Sequence, residues 1–246
     1  MSLAPEDIER HKRHILLKEI GGPGVQKLRA ASVSVIGAGA LGGPCALYLA
    51  AAGVGHIELW DDDTVERSNL QRQIQFADSD TGSRKAGILA ARLRSIDPAL
   101  TITAHARRFT DGDAPAGNIL VDASDNFATR FALNRLAHAT RRPLVSGAAS
   151  GWAGQVSVFA SGVVADAPCY QCWVPEAPPA AEACEEVGVV GAVTGMTGSA
   201  MALEVIKLIT GAGEPLVGRL LLIDGLEGRM RTINLRRDLQ CPICNA

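Results

Sequence analysis

Aromatic residues are scarce in this chain: three Trp, two Tyr and five Phe among 246 residues, 4% of the total. A core cannot rest on them. It must be assembled from Ala, Val, Leu and Ile, which suits a parallel sheet covered by helices. An excess of positive charge is also missing. The formal net charge is −2, which removes the electrostatic case for nucleic acid. The six cysteines do not suggest a secreted disulfide scaffold. No signal peptide is expected, because Glu6, Asp7, Glu9, Arg10, Lys12 and Arg13 precede any apolar run. No membrane span is expected either. The charge-free stretch from Ala30 to Gly55 is interrupted by glycines at 37, 39, 42, 43, 53 and 55, and reads as strand, glycine turn and buried helix. What remains is an ordinary globular composition, 47% hydrophobic and 20% charged. The expectation is a cytoplasmic protein with neither nucleic acid nor membrane as partner.

The elements follow from periodicity and breakers. Residues 5–20 read as a helical arm, with Pro5 in its first turn and Ile8, Ile15 and Leu16 at helical spacing. Gly21-Gly22-Pro23-Gly24 is expected to break the chain. Ser32 to Ile36 is a strand, a helix runs to about Ala52, and His56 to Asp61 is the next strand. This strand–helix–strand unit belongs to a doubly wound fold. A helix over 83–95, a strand from Leu100 to Ala106, a buried strand at Ile119 to Asp122 and a helix over 127–140 continue it. Leu144-Val145 begins a further strand. After Gly151 the pattern changes. Gln155 to Phe159 alternates as a strand, 175–186 has no core pattern and reads as a loop, and a helix covers Ala192 to Ile209. Leu220 to Asp224 and Met230 to Leu235 close the sheet as antiparallel strands. The fold expected is α/β, Rossmann-like, largely parallel and extended by those closing strands. No repeat or polar linker demands a cut, so 1–246 reads as one domain, with a nucleotide-binding half at 30–150 and a second half at 151–246.

Gly37-Ala38-Gly39-Ala40-Leu41-Gly42 follows a strand and opens a helix, the context a dinucleotide-type loop requires. Gly37 permits the tight turn, Gly39 lets a phosphate approach the backbone, and Gly42 allows close helix packing. The helix N-terminus then offers free N–H groups to an anion. Asp61 ends the next strand, where a ribose hydroxyl would donate to it. That much alone fits an NAD-dependent oxidoreductase. The polar and basic run from Asp61 to Gln73 shifts the balance. Arg72 has a planar fork matched to phosphate oxygens, and Lys85 opens the next helix as a point charge. Asp125 and Asn126 follow the buried strand at the carboxyl edge where such sheets bind ligands, and an Asp there can hold Mg2+.

Cys169-x-x-Cys172 and Cys241-x-x-Cys244 are two hooks far apart in sequence. Each supplies two sulfurs at the bite of a tetrahedral metal, and the pair fits a structural Zn2+ that clips the chain end onto a larger body. Two redox pairs or an iron–sulfur cluster are the other readings of the four thiols. Cys45, on the helix after the glycine loop, reads as core.

Taken together these residues resemble the MoeB/ThiF/HesA adenylyltransferases, bacterial relatives of ubiquitin-activating enzymes. The resemblance runs from about Glu9 to Cys244. It rests on Arg10 to Leu16, the Gly37 loop, Ser68-Asn69-Leu70-Gln71-Arg72-Gln73, Lys85, Asp122 to Asn126, Ser146 to Ala149, Gly154-Gln155, Cys184 and both hooks. It implies ATP-dependent adenylation of the C-terminal Gly-Gly carboxylate of a ubiquitin-like sulfur carrier, with release of pyrophosphate and a cysteine desulfurase or another sulfur donor nearby in the pathway. It implies that Asp61 binds ribose, that Asn69, Arg72 and Lys85 hold the phosphates, and that Asp125 positions Mg2+. Arg13 would reach across a homodimer to the triphosphate; the bland alternative is a surface pair with Glu6 or Glu9. Cys184 corresponds to a cysteine that in some relatives forms a covalent link during sulfur transfer and in others is dispensable. The resemblance covers no appended sulfurtransferase domain. Asp62, and Ser150-Gly151-Trp152, depart from the family's pattern and bear on which carrier is bound. A non-catalytic nucleotide-binding scaffold of the same fold is the remaining alternative.

Overall fold

The computed structural model describes residues 3–177 and 188–245. Eight strands form one sheet in the order β3-β2-β1-β4-β5-β6-β7-β8. These are β1 (Ser32–Ile36), β2 (His56–Trp60), β3 (Thr101–His105), β4 (Ile119–Asp122), β5 (Leu144–Ser150), β6 (Ala153–Phe159), β7 (Arg219–Asp224) and β8 (Arg229–Asn234). The first five are parallel, and β6 to β8 add on in antiparallel fashion. The α/β class, the doubly wound half and the antiparallel extension are therefore as the hydrophobic patterning implied.

Both faces of the parallel half are covered, which is why its strands are apolar on both sides. On one face α4 (Gly42–Ala52), α5 (Lys85–Ile96) and α8 (Gly191–Thr210) pack over Val33, Val35, Ile57, Leu59 and Val121. On the other, α6 (Phe127–Ala139) covers Ile36, Leu120 and Leu144. The first core is aliphatic apart from Phe76. The second gathers Trp60, Phe109, Phe159 and Tyr170, four of the ten aromatic rings. By length and composition α8 could cross a membrane. Its Val193, Met201, Ala202 and Val205 are instead buried against the sheet and α4.

The N-terminal segment departs from expectation. Residues 5–20 form two short helices, α1 (Pro5–Arg10) and α2 (Lys12–Ile15), with His11 between them. Gly21 to Gly24 does not break the chain but forms the first turn of α3 (Gly21–Ala30). A helix's first turn lacks intrahelical partners for its N–H groups, so Pro23 costs nothing there. Gly21 has φ +58, which suits glycine, and a Cβ on Gly24 would approach Ile20 Cγ2 at 2.7 Å. The glycines thus let the chain turn tightly into a helix.

This N-terminal segment is also bound down. Arg29 of α3 donates to Asp7 (2.6 Å) and to Asp97 (2.5 Å), and Arg10 donates to the Ile96 carbonyl (2.8 Å). His11 is buried, and its ring fills the space beside Gly53, where a Cβ would lie 2.6 Å from it. Gly53 ends α4 and Ile96 ends α5. Helices in such crossovers run back against the strands, so both points lie at the edge where the parallel strands begin.

Candidate functional site

The opposite edge, where the parallel strands end, carries the polar groups. Strand order reverses between β1 and β4, and a crevice opens at such a point. The glycine loop turns there. Gly37 has φ +99 and its N–H donates to the Trp60 carbonyl (2.8 Å). A Cβ on Gly37 would sit 2.5 Å from the Ala123 carbonyl, and one on Gly42 would sit 1.7 Å from the Gly37 carbonyl. Neither position accepts a side chain. At Gly39, among the described residues, only Gln73 comes near, at 3.4 Å from a would-be Cβ.

Asp61 lies just past β2. Its Oδ2 accepts from the Ala38 N–H of the glycine loop (2.7 Å) and its Oδ1 from the Asp63 N–H (2.9 Å). Burial pushes its carboxyl above the usual range, and these bonds offset the push only in part. Each oxygen retains a lone pair for a further donor. Lys85, at the start of α5, is buried and aimed back at this edge, with Nζ 2.8 Å from Asp63 Oδ2. Arg72 is half-buried. Its guanidinium donates to the Ser68 carbonyl (3.0 Å) and makes no ion pair among the described residues. Asn69 is buried in the 3₁₀ turn Arg67–Asn69, where its side chain accepts from the Glu66 N–H (3.4 Å).

From β4, Asp125 is exposed and among the described residues bonded only to Asn126 Nδ2 (3.4 Å). Asn126 caps α6, its side chain accepting from the Thr129 N–H (2.9 Å). The glycine loop, Asp61, Asn69, Arg72, Lys85, Asp125 and Asn126 thus all come from segments that follow β1, β2 or β4 or open a helix at this one edge. Arg13 does not join them. It is exposed on α2, has no hydrogen bond or ion pair among the described residues, and belongs to the segment bound at the far edge. Strands of five residues put about 17 Å between the two edges. Cys184 lies outside the described residues.

Two groups carry roles that the linear pattern did not reveal. Gln75 Nε2 donates to the carbonyls of Ala38 (2.8 Å) and Gly39 (3.0 Å), holding the glycine loop from below. Asp122 is fully buried and accepts from Ser124 Oγ (2.6 Å) and Ser146 Oγ (3.0 Å), tying the ends of β4 and β5 together. For Gln75 the signal was polarity beside an apolar run; Asp122 stood among the residues that carry the resemblance, with no role attached to it.

The four hook cysteines meet elsewhere, beside α6. Cys169 precedes the short helix α7 (Tyr170–Trp173), and all four sulfurs lie within 4.8 Å of one another. Cys169 and Cys241 are 3.5 Å apart, Cys172 and Cys244 3.4 Å, Cys169 and Cys172 3.9 Å. A tetrahedron with arms of about 2.3 Å has edges of about 3.8 Å. The cluster therefore fits a single tetrahedral metal ion, and its spacings are far too long for disulfides. Asn134 Nδ2 donates to Cys169 Sγ (3.5 Å) while its oxygen accepts from the Tyr170 N–H (2.8 Å). That is an outer partner of the kind that orients a ligand.

Residues 11–243 match the model of the ThiF family. The chain belongs to the ThiF family. It is similar to the sulfur carrier protein adenylyltransferase of Thermus thermophilus, 40% identical over 252 residues that cover 99% of this chain and 93% of that protein. It is similar to the SAMP-activating enzyme E1 of Haloferax volcanii to the same 40% over 250 residues, 99% of this chain and 91% of that one. Among solved structures, Escherichia coli MccB crystallised with ATP superposes with a TM-score of 0.83 at 22% identity, covering 96% of this chain and 75% of that one. At that identity the likeness speaks for the fold alone.

Proposed function

We propose that this ThiF-family chain is an adenylyltransferase that uses ATP to activate the C-terminal glycine carboxylate of a ubiquitin-like sulfur-carrier protein. The observation that carries the reading is the convergence of the glycine loop, Asp61, Arg72 and buried Lys85 on one sheet edge, in a chain 40% identical to a sulfur carrier protein adenylyltransferase over nearly its whole length. A nicotinamide oxidoreductase would leave the basic residues and the cysteine cluster without a task. A non-catalytic nucleotide-binding scaffold would have no need of the whole set of Arg13, Arg72, Lys85 and Asp125.

The reaction asks for little covalent chemistry. The carrier's carboxylate is ionised at neutral pH, so no general base is needed. Its oxygen attacks the α-phosphorus of ATP; the bond to the bridging oxygen breaks, and that electron pair leaves with pyrophosphate. The chain's task is placement and neutralisation of charge. In this reading Asp61 holds the ribose hydroxyls, and the loop at Gly37, Gly39 and Gly42 lets the phosphates lie against backbone. Asn69, Arg72 and Lys85 bind phosphate oxygens. Lys85 exchanges Asp63 for phosphate when nucleotide arrives. Asp125, exposed and nearly unpartnered, suits Mg2+, which when bound offsets the charge of the leaving pyrophosphate. Asn126 keeps α6 and its neighbour in place. The cysteine tetrad suits Zn2+ in a structural role.

The distance between Arg13 and its own chain's site favours a homodimer in which Arg13 is supplied by the other copy. Chain 1–246 then acts as one adenylation domain, with 30–150 binding nucleotide and 151–246 the carrier and zinc. A reducing cytoplasm suits its free thiols. A cysteine desulfurase or other sulfur donor would act on the activated carrier, and Cys184 is the residue proposed to take part in a covalent step. The test is mass spectrometry of a sulfur carrier ending in Gly-Gly, incubated with the protein, ATP and Mg2+. The carrier should gain one AMP group, and a carrier lacking its last glycine should not. An unmodified intact carrier across a panel of such proteins would sink the proposal.

A further inference from the structure

A Gly-Gly terminus has no side chain, so it cannot tell one carrier from another. Discrimination along the tail must act further upstream. The structure contains a continuous hydrogen-bonded ledge that leads away from Arg72 and ends at an exposed indole. Gly191 packs directly on Gln71 and Arg72: a Cβ there would sit 2.4 Å from the Gln71 carbonyl and 3.1 Å from Arg72 Cα. Thr194 Oγ1 donates to the Arg72 carbonyl (3.4 Å). From Gly191 the ledge steps back to Val190, whose N–H donates to the Gly151 carbonyl (3.0 Å). The Gly151 N–H in turn donates to the Gly188 carbonyl (2.8 Å). Gly151 and Trp152 form the two-residue turn between β5 and β6, with Gly151 at φ +57. The Gly225 N–H donates to the Trp152 carbonyl (2.8 Å), joining this turn to the one between β7 and β8.

The chain's direction places the ledge. β5 is parallel to β1 and ends at the nucleotide edge, and β7 runs the same way, so both turns stand on that edge. Trp152 is 50% exposed there, and Leu226, one residue past Gly225, is 65% exposed. Gly225 has no side chain between the indole and its own backbone; a Cβ would lie 3.9 Å from Trp152 Cε3. Exposed tryptophan is costly to leave in water, and large rings at a rigid turn are the usual anchors of recognition. From Arg72 to the turn the ledge is one or two residues long plus one strand spacing, about 10 Å. An extended chain covers that in about three residues.

We infer that Trp152 is a specificity-determining residue that receives an apolar side chain of the carrier's extended tail, at the third or fourth residue from its C-terminus. The inference rests on the adenylation reading and adds the place where the tail is read. The negative face of the ring disfavours a carboxylate at that point of the tail, because such a group would lose water without a partner.

The experiment is carrier-dependent exchange of labelled pyrophosphate into ATP, with a panel of recombinant ubiquitin-fold sulfur carriers ending in Gly-Gly as the probe. Trp152→Ala should raise KM for the active carrier about tenfold, with kcat and the KM for ATP unchanged, and Trp152→Phe should restore most of the affinity. In a double-mutant cycle, alanine at the third or fourth residue from the carrier's end should weaken wild type but have little further effect on Trp152→Ala. An unchanged KM for carrier in a folded, ATP-binding Trp152→Ala protein overturns the inference. So does an effect confined to the oligomeric state, which would give the ring to contact between copies. Absence of carrier-dependent exchange in wild type overturns the adenylation reading, and this inference with it.

Discussion

Lys85 illustrates how much of the site is set by single contacts. It is a long cationic side chain, yet its exposure is only 5%. A buried ammonium needs a partner, and here Asp63 supplies one at 2.8 Å. Asp63 is more than half exposed on its side chain, so it would return to water if a phosphate displaced it, as proposed. Arg72 stands ready in another way, held among the described residues by a backbone carbonyl alone. Lys85→Ala and Arg72→Ala should each weaken ATP binding about tenfold or more, since charge-assisted contacts to phosphate are lost. Calorimetry with ATP and Mg2+ checks this; tight NAD binding with no response to ATP would point to the oxidoreductase instead. These two residues were legible in the sequence because one lies in the basic run after β2 and the other opens the next helix. Gln75 and Asp122 were not. Their partners, Ala38 and Ser146, are distant in sequence and meet them only through the sheet.

Among the elements, strands and central helices were the legible part. Ser32 to Ile36 and Ile119 to Asp122 are short, apolar runs bounded by breakers, and the structure has strands at those residues. The entry to α3 was not legible. Gly-Gly-Pro-Gly reads locally as a break, and only packing of Ile20 on Gly24 and of the preceding helices on α3 decides otherwise. The same packing depends on Asp97. Burial pushes its carboxyl up, but bonds from Arg29 and the Ala99 N–H outweigh this and hold it below the usual range. A depressed carboxylate contributes stability that is complete above its unfolded value near pH ~4 and is lost as pH falls through the lower folded value. Asp97→Asn should therefore lower stability at pH 7 by about 2 kcal/mol and flatten the loss of stability below pH ~4. Thermal melts across pH measure both; an unchanged acid profile would mean that Asp97 does not hold the N-terminal helices. At the other end of the chain, the cysteine tetrad ties the C-terminal residues to α7 and α6. Elemental analysis of reduced protein should find one zinc per chain, lost in Cys241→Ser together with thermal stability, because metal binding is coupled to folding. Metal-free, equally stable wild type would refute a structural zinc.

The whole molecule separates its tasks by edge. The edge where parallel strands end carries the residues proposed to bind nucleotide and the Trp152 turn. The other edge binds the N-terminal helices, and with them Arg13. The sheet's height thus divides groups that the reading requires at one phosphate, and a second copy is the proposed resolution. The relevant contact is expected between chains, so no pattern within one chain could specify its geometry. An apolar hollow of about 350 Å³ between α4 and α8 is lined by Pro44, Leu47, Tyr48, Ile74, Gly195 and Ser199.

Carrier-dependent pyrophosphate exchange, run on wild type, Arg13→Ala, Arg72→Ala and an equal mixture of the two variants, tests the central claim most directly. Wild type should incorporate labelled pyrophosphate into ATP only when a Gly-Gly carrier is present. Each variant alone should be nearly inactive. The mixture should regain up to roughly a quarter of wild-type activity, because half of its dimers hold one site with both arginines intact. No carrier-dependent exchange by wild type would contradict adenylation itself. An inactive mixture in which hybrid dimers have been shown to form would contradict the supply of Arg13 from the second copy.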